Sequence, residues 1–322
     1  MITQITSQHL AHNVYGDSST RDLVVYLPPG YEQASRRYPT MYLLHGFNDR
    51  ALSWVASFRM NYAWRDIYEV LDDAIRSGRS REMIVVMPDG WSRLGCSQWV
   101  DSPVNGNFEQ YVVQDVVSLV DRNFRTIPRA TSRGVTGISS GGFGAWHLGS
   151  RNPDIFGAMS LLSADSYFEL THKPWIYRYY NQLNGHEPNG PINSEDNSWL
   201  TYGLASCYSP NPQKPPFYVD LPVCYPDGEL IADVWDKSLA YDPIISYQPR
   251  VDNLRKLKGI LLDVGTRDEF DLHYGHRILS KRLGAAGVAH QSVEHGGTHG
   301  SQLYEKIQAT MEWFSSVLDQ DA

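Results

Sequence analysis

Gly137-Ile138-Ser139-Ser140-Gly141 forms a G-x-S-x-G run between two contrasting segments. Before it, Arg133-Gly134-Val135-Thr136 has the β-branched character of a buried strand; after it, Gly142-Phe143-Gly144-Ala145-Trp146-His147-Leu148-Gly149 is rich in small residues that let a helix pack closely. A serine between such a strand and such a helix sits on a sharp turn with its hydroxyl exposed. The glycines at 137 and 141 are expected to be steric requirements of that turn, where a Cβ would crowd the backbone.

Outward from this point, strand and helix signals alternate. Upstream, Ile2 to Ser7 and Thr20 to Leu27 read as an antiparallel pair of edge strands, the second stopped by Pro28-Pro29-Gly30. Tyr38 to Leu44 is an apolar run suited to a strand buried on both faces, and it leads into His45-Gly46-Phe47-Asn48. Met60 to Arg76 has helical spacing, Glu82 to Met87 is a further strand, and Phe108 to Arg122 is an amphipathic helix. Downstream, Phe156 to Leu162 supplies a strand, Gly259 to Val264 another, Leu272 to Ala286 a helix, Val288 to Glu294 a strand, and His299 to Leu318 a closing helix. This alternation predicts an α/β fold: a mostly parallel central sheet with helices on both faces.

The alternation fails between Ala164 and Arg250. Eleven of the chain's eighteen prolines fall there among many Tyr and Trp. Disordered linkers are poor in aromatics, so the segment is expected to be an ordered lid or cap. The predicted organisation is a core of residues 1–163 and 251–322, with 164–250 inserted.

Bulk composition narrows the functional classes. A chain of 322 residues buries about 75% of its extended surface, so neither disulfides nor metal are needed to hold the core. A formal charge of −8 opposes nucleic-acid or anionic-membrane partners, which require a basic face. The three cysteines, Cys96, Cys207 and Cys224, have no C-x-x-C spacing and read as reduced thiols, with a Cys207–Cys224 bridge as the alternative in an exported protein. Met1 to Leu10 lacks a basic start followed by an apolar run, which is consistent with a cytoplasmic protein or with a secreted one already trimmed. No metal or nucleotide motif is present, and no cofactor is expected.

A serine hydroxyl is a weak nucleophile until a base takes its proton, and the base needs a third group to fix its tautomer. Asp268, in Val264-Gly265-Thr266-Arg267-Asp268, directly follows a predicted strand and is the candidate acid. Asp263 lies within that strand, and Asp271 reads as the N-terminal cap of the next helix. His295 and His299 compete for the base. His299 is preferred because it follows the glycines that can turn the loop back across the strand ends. His45 and His147 read as structural, although His45 sits where it could orient its loop. The backbone N–H groups of Ser140 and Phe47, with Asn48 as fallback, are placed to stabilise an oxyanion.

Several stretches together resemble the α/β-hydrolase esterase family related to esterase D, which includes S-formylglutathione hydrolases, feruloyl and acetyl-xylan esterases and mycolyltransferases. They are Val25 to Tyr31, Tyr38-Pro39 leading to Leu43-Leu44-His45-Gly46, Met87-Pro88-Asp89-Gly90, the Ser139 turn through Ala145, and Asn152 to Gly157. The resemblance implies an α/β-hydrolase fold and a serine carboxylic-ester hydrolase. It implies Ser139 as nucleophile, Asp268 as acid, His299 as base, and Phe47 and Ser140 as oxyanion donors. The expected substrate is a small acyl, phenolic or sugar ester. Members often carry Gly-Gly-His near the end, whereas Thr298 intervenes here, which keeps His295 in contention. Acyl transfer to a sugar hydroxyl by the same serine, and a non-catalytic glycan- or partner-binding role for the aromatic insertion, are the alternative readings.

Overall fold

The computed structural model describes residues 1–55, 65–178, 198–224 and 227–320. Its strands are β1 (Ile2–Thr6), β2 (Thr20–Tyr26), β3 (Thr40–Leu44), β4 (Ile84–Pro88), a small hairpin of β5 (Asp101–Ser102) and β6 (Gly106–Asn107), β7 (Arg133–Ile138), β8 (Ala158–Leu162), β9 (Gly259–Gly265) and β10 (Gln291–His295). All but the hairpin form one sheet in the order β1-β2-β4-β3-β7-β8-β9-β10. β1 pairs antiparallel with β2, and β2 with β4. Every pairing from β4 across to β10 is parallel. The expected antiparallel edge and parallel body are both present, and the fold is that of an α/β-hydrolase.

Side-chain alternation builds two core layers, one on each face of the sheet. Along β3, Tyr42 and Leu44 point into a layer shared with Trp146 and Phe156, whereas Met41 and Leu43 join Ile67, Val70, Ile307, Met311 and Phe314 on the other face. Helix α1 (Ile67–Arg76) shows why it forms: Ile67, Val70, Leu71 and Ala74 make one buried stripe, and Asp66 caps the first turn by accepting from the Tyr68 N–H. Residues 60–64 of the helix expected from Met60 onward lie outside the described residues.

Some boundaries differ from the sequence reading. The amphipathic run from Phe108 consists of α2 (Phe108–Gln110), a π-helical stretch (Tyr111–Val116) and α3 (Val117–Asn123). Asp271 stands at the N-cap of the Leu272–Ala285 helix, but its backbone is left-handed (φ 60°) and its side chain caps nothing. The closing helix runs Leu303–Val317, and His299 is left in the loop before it.

Between β8 and β9 the described residues form short helices, Phe168–Thr171, Lys173–Arg178, Ser198–Tyr208, Ala232–Leu239, Pro243–Ser246 and Val251–Leu254. Part of this segment packs on the core through a separate apolar cluster that joins Cys96, Val100 and Phe143 to Phe168, Leu204, Tyr208 and Trp235. No disulfide joins Cys96, Cys207 and Cys224, and Cys207 lies against the Cys96 carbonyl (Sγ to O 3.8 Å). No described helix is long and apolar enough to cross a membrane.

Candidate active site

The C-terminal ends of the parallel strands are interlocked by register. Leu44 is opposite Gly137, Ile138 opposite Leu162, Leu162 opposite Asp263, and Gly265 opposite His295. The loops that follow these strands therefore open on one edge of the sheet, where ligands sit in open α/β folds. Ser139, Asp268, His299 and Phe47 all lie in those loops or turns.

Ser139 stands between β7 and the helix α4 (Ser140–Arg151) with φ 58° and ψ −124°, a conformation rarely held by a residue with a side chain. Its N–H donates to the Leu162 carbonyl at 3.0 Å, and its carbonyl accepts from the Phe143 N–H at 2.9 Å. A Cβ at Gly137 would lie 2.6 Å from the Leu44 oxygen, and one at Gly141 would overlap the same oxygen and sit 2.6 Å from that of His45. The turn passes so close to β3 that neither glycine tolerates a substituent, as its sequence position suggested.

His299 and Asp268 meet. The Nδ1–H of His299 donates to Asp268 Oδ2 at 2.8 Å, and both residues are buried. The loop holds His299 at further points. Its N–H donates to Glu269 Oε2 at 2.9 Å, its carbonyl accepts from Lys306 Nζ at 3.4 Å, and its ring meets the Phe270 ring edge-on at 4.8 Å between centroids. Burial alone would raise the pKa of Asp268. The His299 contact and the backbone N–H groups of Phe270 and Leu272 outweigh it, so the carboxyl is held below its ordinary value.

His295 belongs to a different pair. Its Nδ1 accepts from the Gly297 N–H at 3.1 Å, so the ring hydrogen is on Nε2, which faces Asp263 Oδ1 at 3.5 Å. Asp263 is thus the neighbour of His295 and not of His299.

Asn48 and Phe47 are separated just as sharply. The Asn48 N–H is spent on the Gly95 carbonyl at 2.7 Å, whereas among the described residues nothing accepts from the N–H of Phe47. Ser140 is the first residue of α4, where a backbone N–H has no partner within the helix. His45 supports this loop: its Nε2 accepts from the Gly90 N–H at 2.8 Å, and its Nδ1–H donates to the Gly46 carbonyl at 2.9 Å. His147 lies outside the group and donates from Nε2 to Glu109 at 3.0 Å.

Two features were not legible in the sequence. The first is a buried cluster beside Ser140, in which Gln98 Nε2 donates to Ser140 Oγ (3.1 Å) and to Asp165 Oδ2 (3.2 Å). The second is a small, partly open pocket in the segment between β8 and β9, lined in part by His172, Trp175, Leu204, Tyr208 and Trp235. It adjoins the strand-end loops twice. His172 Nε2 is 3.9 Å from Asp165 Oδ2, and the Trp175 ring lies 5.5 Å from Phe270, which touches His299. Burial lowers the pKa of His172 to about 3, so this wall of the cleft is uncharged at neutral pH. No group of three or more His, Cys, Asp or Glu side chains that could hold a metal ion occurs among the described residues.

The chain is 29% identical over 147 residues to an endo-1,4-beta-xylanase/feruloyl esterase of Xylanibacter ruminicola, an alignment covering 44% of this chain and 19% of that protein. It is 26% identical over 294 residues to an esterase of Mycobacterium tuberculosis, covering 85% of this chain and 51% of that one. The chain therefore spans about half or less of the length of these two relatives. A solved structure of a ferulic acid esterase superposes with a TM-score of 0.66 at 21% identity, over 99% of this chain and 98% of that one. The profile of the family described as "Putative esterase" matches residues 18–321. With that match across nearly the whole chain and the strand order described above, the protein belongs to this esterase family of the α/β-hydrolases.

Proposed function

We propose that the protein is a serine carboxylic-ester hydrolase working through an acyl-enzyme on Ser139. The observation that carries this reading is the His299 to Asp268 hydrogen bond, made on the same sheet edge as the strained Ser139 turn. With Nδ1–H committed to Asp268, the lone pair of His299 is on Nε2, the tautomer a general base needs.

In the proposed reaction His299 takes the Ser139 proton as Oγ attacks the ester carbonyl. The tetrahedral oxyanion is met by the N–H groups of Phe47 and Ser140, donors fixed in place before reaction. His299 then returns the proton to the leaving alkoxide, and the alcohol departs. Water, deprotonated by the same imidazole, adds to the acyl carbon; the bond to Oγ then breaks, the imidazolium returns its proton to Ser139, and the acid leaves. Asp268 stays ionised throughout and steadies the imidazolium that forms at each step.

The 164–250 insertion, of which 179–197 and 225–226 lie outside the described residues, serves as a lid over the acyl or alcohol side of the ester, and the small aromatic pocket belongs to its described part. The uncharged lining of that pocket favours an uncharged group over an ionic one. The names of the relatives, feruloyl and ferulic acid esterases among them, support phenolic esters as the first class to try.

The test is labelling with a fluorophosphonate followed by peptide mass spectrometry. Label on Ser139 is expected in the wild type and is expected to vanish in His299→Ala but persist in His295→Ala. A well-folded wild type that takes no label, or a Ser139→Ala variant that keeps its esterase activity, would overturn the assignment.

A further inference from the structure

The segment Trp91–Trp99 touches both halves of the proposed oxyanion site. At one end the Gly95 carbonyl accepts from Asn48 N–H, next to Phe47, and the Phe47 ring occupies the space a Gly95 Cβ would need, 2.7 Å from its Cζ. At the other end Gln98 reaches Ser140. The segment is rigid between these points. Ser97 Oγ donates to the Gly90 carbonyl at 2.7 Å and accepts from the Trp99 N–H at 3.2 Å. The Trp99 ring fills the space above Gly90 and Gly144 and meets the His45 ring at 5.0 Å.

Gln98 and Trp99 are both buried and both have positive φ, 49° and 57°. Two consecutive residues with side chains in this region are strained, and strain of this kind persists where the surroundings over-determine it, commonly beside functional sites. The strain delivers one amide to one place. Asp165 Oδ2 accepts from Ser140 Oγ at 3.2 Å as well as from Gln98, so the face of Gln98 turned to this pair is its NH₂. Gln98 Oε1 is buried and has no donor among the described residues. Leaving an acceptor unmet is costly, and it is tolerated here alongside a donor contact to Ser140. Burial raises the pKa of Asp165, while the hydrogen bonds from Gln98 and Ser140 act in the opposite direction and favour its ionised form.

We propose that Gln98 is a positioning residue of the oxyanion site, acting through Ser140 to hold its N–H at a fixed place relative to that of Phe47. The proposal rests on the esterase reading of the site above.

The experiment uses the full chain, p-nitrophenyl acetate as substrate and an aryl trifluoromethyl ketone as a probe that adds to a serine as an oxyanion. Gln98→Leu is expected to lower kcat about 10- to 100-fold, the cost of slightly misplaced catalytic groups, with KM changed less than about twofold. Ketone inhibition should weaken by the same factor as kcat. In a Ser140→Ala background the same substitution should cost less than about twofold, because the hydroxyl it acts through is gone. Should Gln98→Leu fail to fold, Gln98→Glu keeps the shape while replacing the donor with an acceptor, and the same losses are expected.

A folded Gln98 variant with unchanged kcat, a loss of kcat without parallel loss of ketone affinity, or full multiplicative losses in the double variant would overturn the proposal. These outcomes in a wild type that turns over substrate and labels on Ser139 sink the Gln98 role alone. A wild type that does neither sinks the esterase reading and this role with it.

Discussion

His299 donates its Nδ1 hydrogen to Asp268 Oδ2 across 2.8 Å, and the Asp268 side chain on the receiving end is fully shielded from solvent. Asp268→Asn presents an amide to the same ring atom and can stabilise the wrong tautomer. On the proposed mechanism kcat for p-nitrophenyl acetate should fall about 10³- to 10⁴-fold with KM little changed. His295→Ala should retain most of the activity, since that ring is turned toward Asp263 and Gly297. Steady-state kinetics on the two variants check both statements; equal losses would mean the two histidines do not have separate roles.

The Ser139 turn makes a steric prediction. A methyl at Gly141 would overlap the Leu44 carbonyl, so Gly141→Ala should destabilise the fold by more than about 4 kcal/mol or abolish soluble expression. Among the described residues, only the His290 ring, at 3.9 Å, lies near the Cβ direction of Gly284 within the Leu272–Ala285 helix. Gly284→Ala should stabilise by about 0.5–1 kcal/mol through helix propensity. Urea denaturation of the two variants reads the contrast, and a Gly141→Ala protein as stable as wild type would remove the close-approach argument.

The cleft beside Phe270 bears on substrate choice. Trp175 packs on Phe270 at 5.5 Å, and Phe270 on His299 at 4.8 Å. If the cleft receives the aromatic part of an ester, Trp175→Ala should raise KM for methyl ferulate about tenfold, the scale of one lost aromatic contact, and leave p-nitrophenyl acetate within about twofold. Equal effects on both esters would place the aromatic group elsewhere.

Two buried imidazoles should make stability sensitive to acid. Burial lowers the pKa of His276 to about 4 and that of His172 to about 3, and His276 Nε2 accepts from the Ala164 N–H. In the unfolded chain each titrates near about 6.5, so as pH falls the unfolded state takes the protons first. Their stabilisation is complete above about pH 6.5 and is withdrawn below it, by about 3 kcal/mol for each ring at pH 4. Glu109 acts in the same direction further down. Burial opposes its charge, but His147, Asn152 and Arg151 hold its pKa at about 2, so its contribution fades as pH drops below about 4.3. Asp49 and Asp242 act the other way: burial raises each to about 6, so their protonation favours the folded state as pH falls. The test is therefore a difference between variants: the urea midpoint should drop less from pH 7 to pH 4.5 in His276→Gln than in wild type, and equal drops would show that this ring is not held neutral.

How much of this was legible beforehand depends on the range of the forces involved. The Ser139 turn could be read because its requirements are local: two glycines, a β-branched lead-in and a small-residue helix. Asp268 could be read because it follows a strand directly. The choice between His295 and His299 could only be a preference, because it turns on which carboxylate each ring reaches after folding. The π-helical stretch at Tyr111–Val116 escaped notice because its apolar pattern is also compatible with an ordinary helix. Gln98 carried no signal, since nothing in its neighbours dictates a positive φ. Asp271 misled for a related reason: Asp is common at caps, yet its tolerance of left-handed backbone is what the structure uses.

β8 and β9 are direct neighbours in the sheet, paired from Ala158 opposite Gly259 to Leu162 opposite Asp263, although nearly a hundred residues of chain separate them. The ladder closes the seam itself, so the sheet's register does not depend on what the intervening stretch looks like. Parts of that stretch away from Asp165 and from the cluster of Phe168, Leu204 and Trp235 can be exchanged while the strand ends stay where they are. New specificities could then arise, in evolution or by grafting, without rebuilding the Ser139 turn.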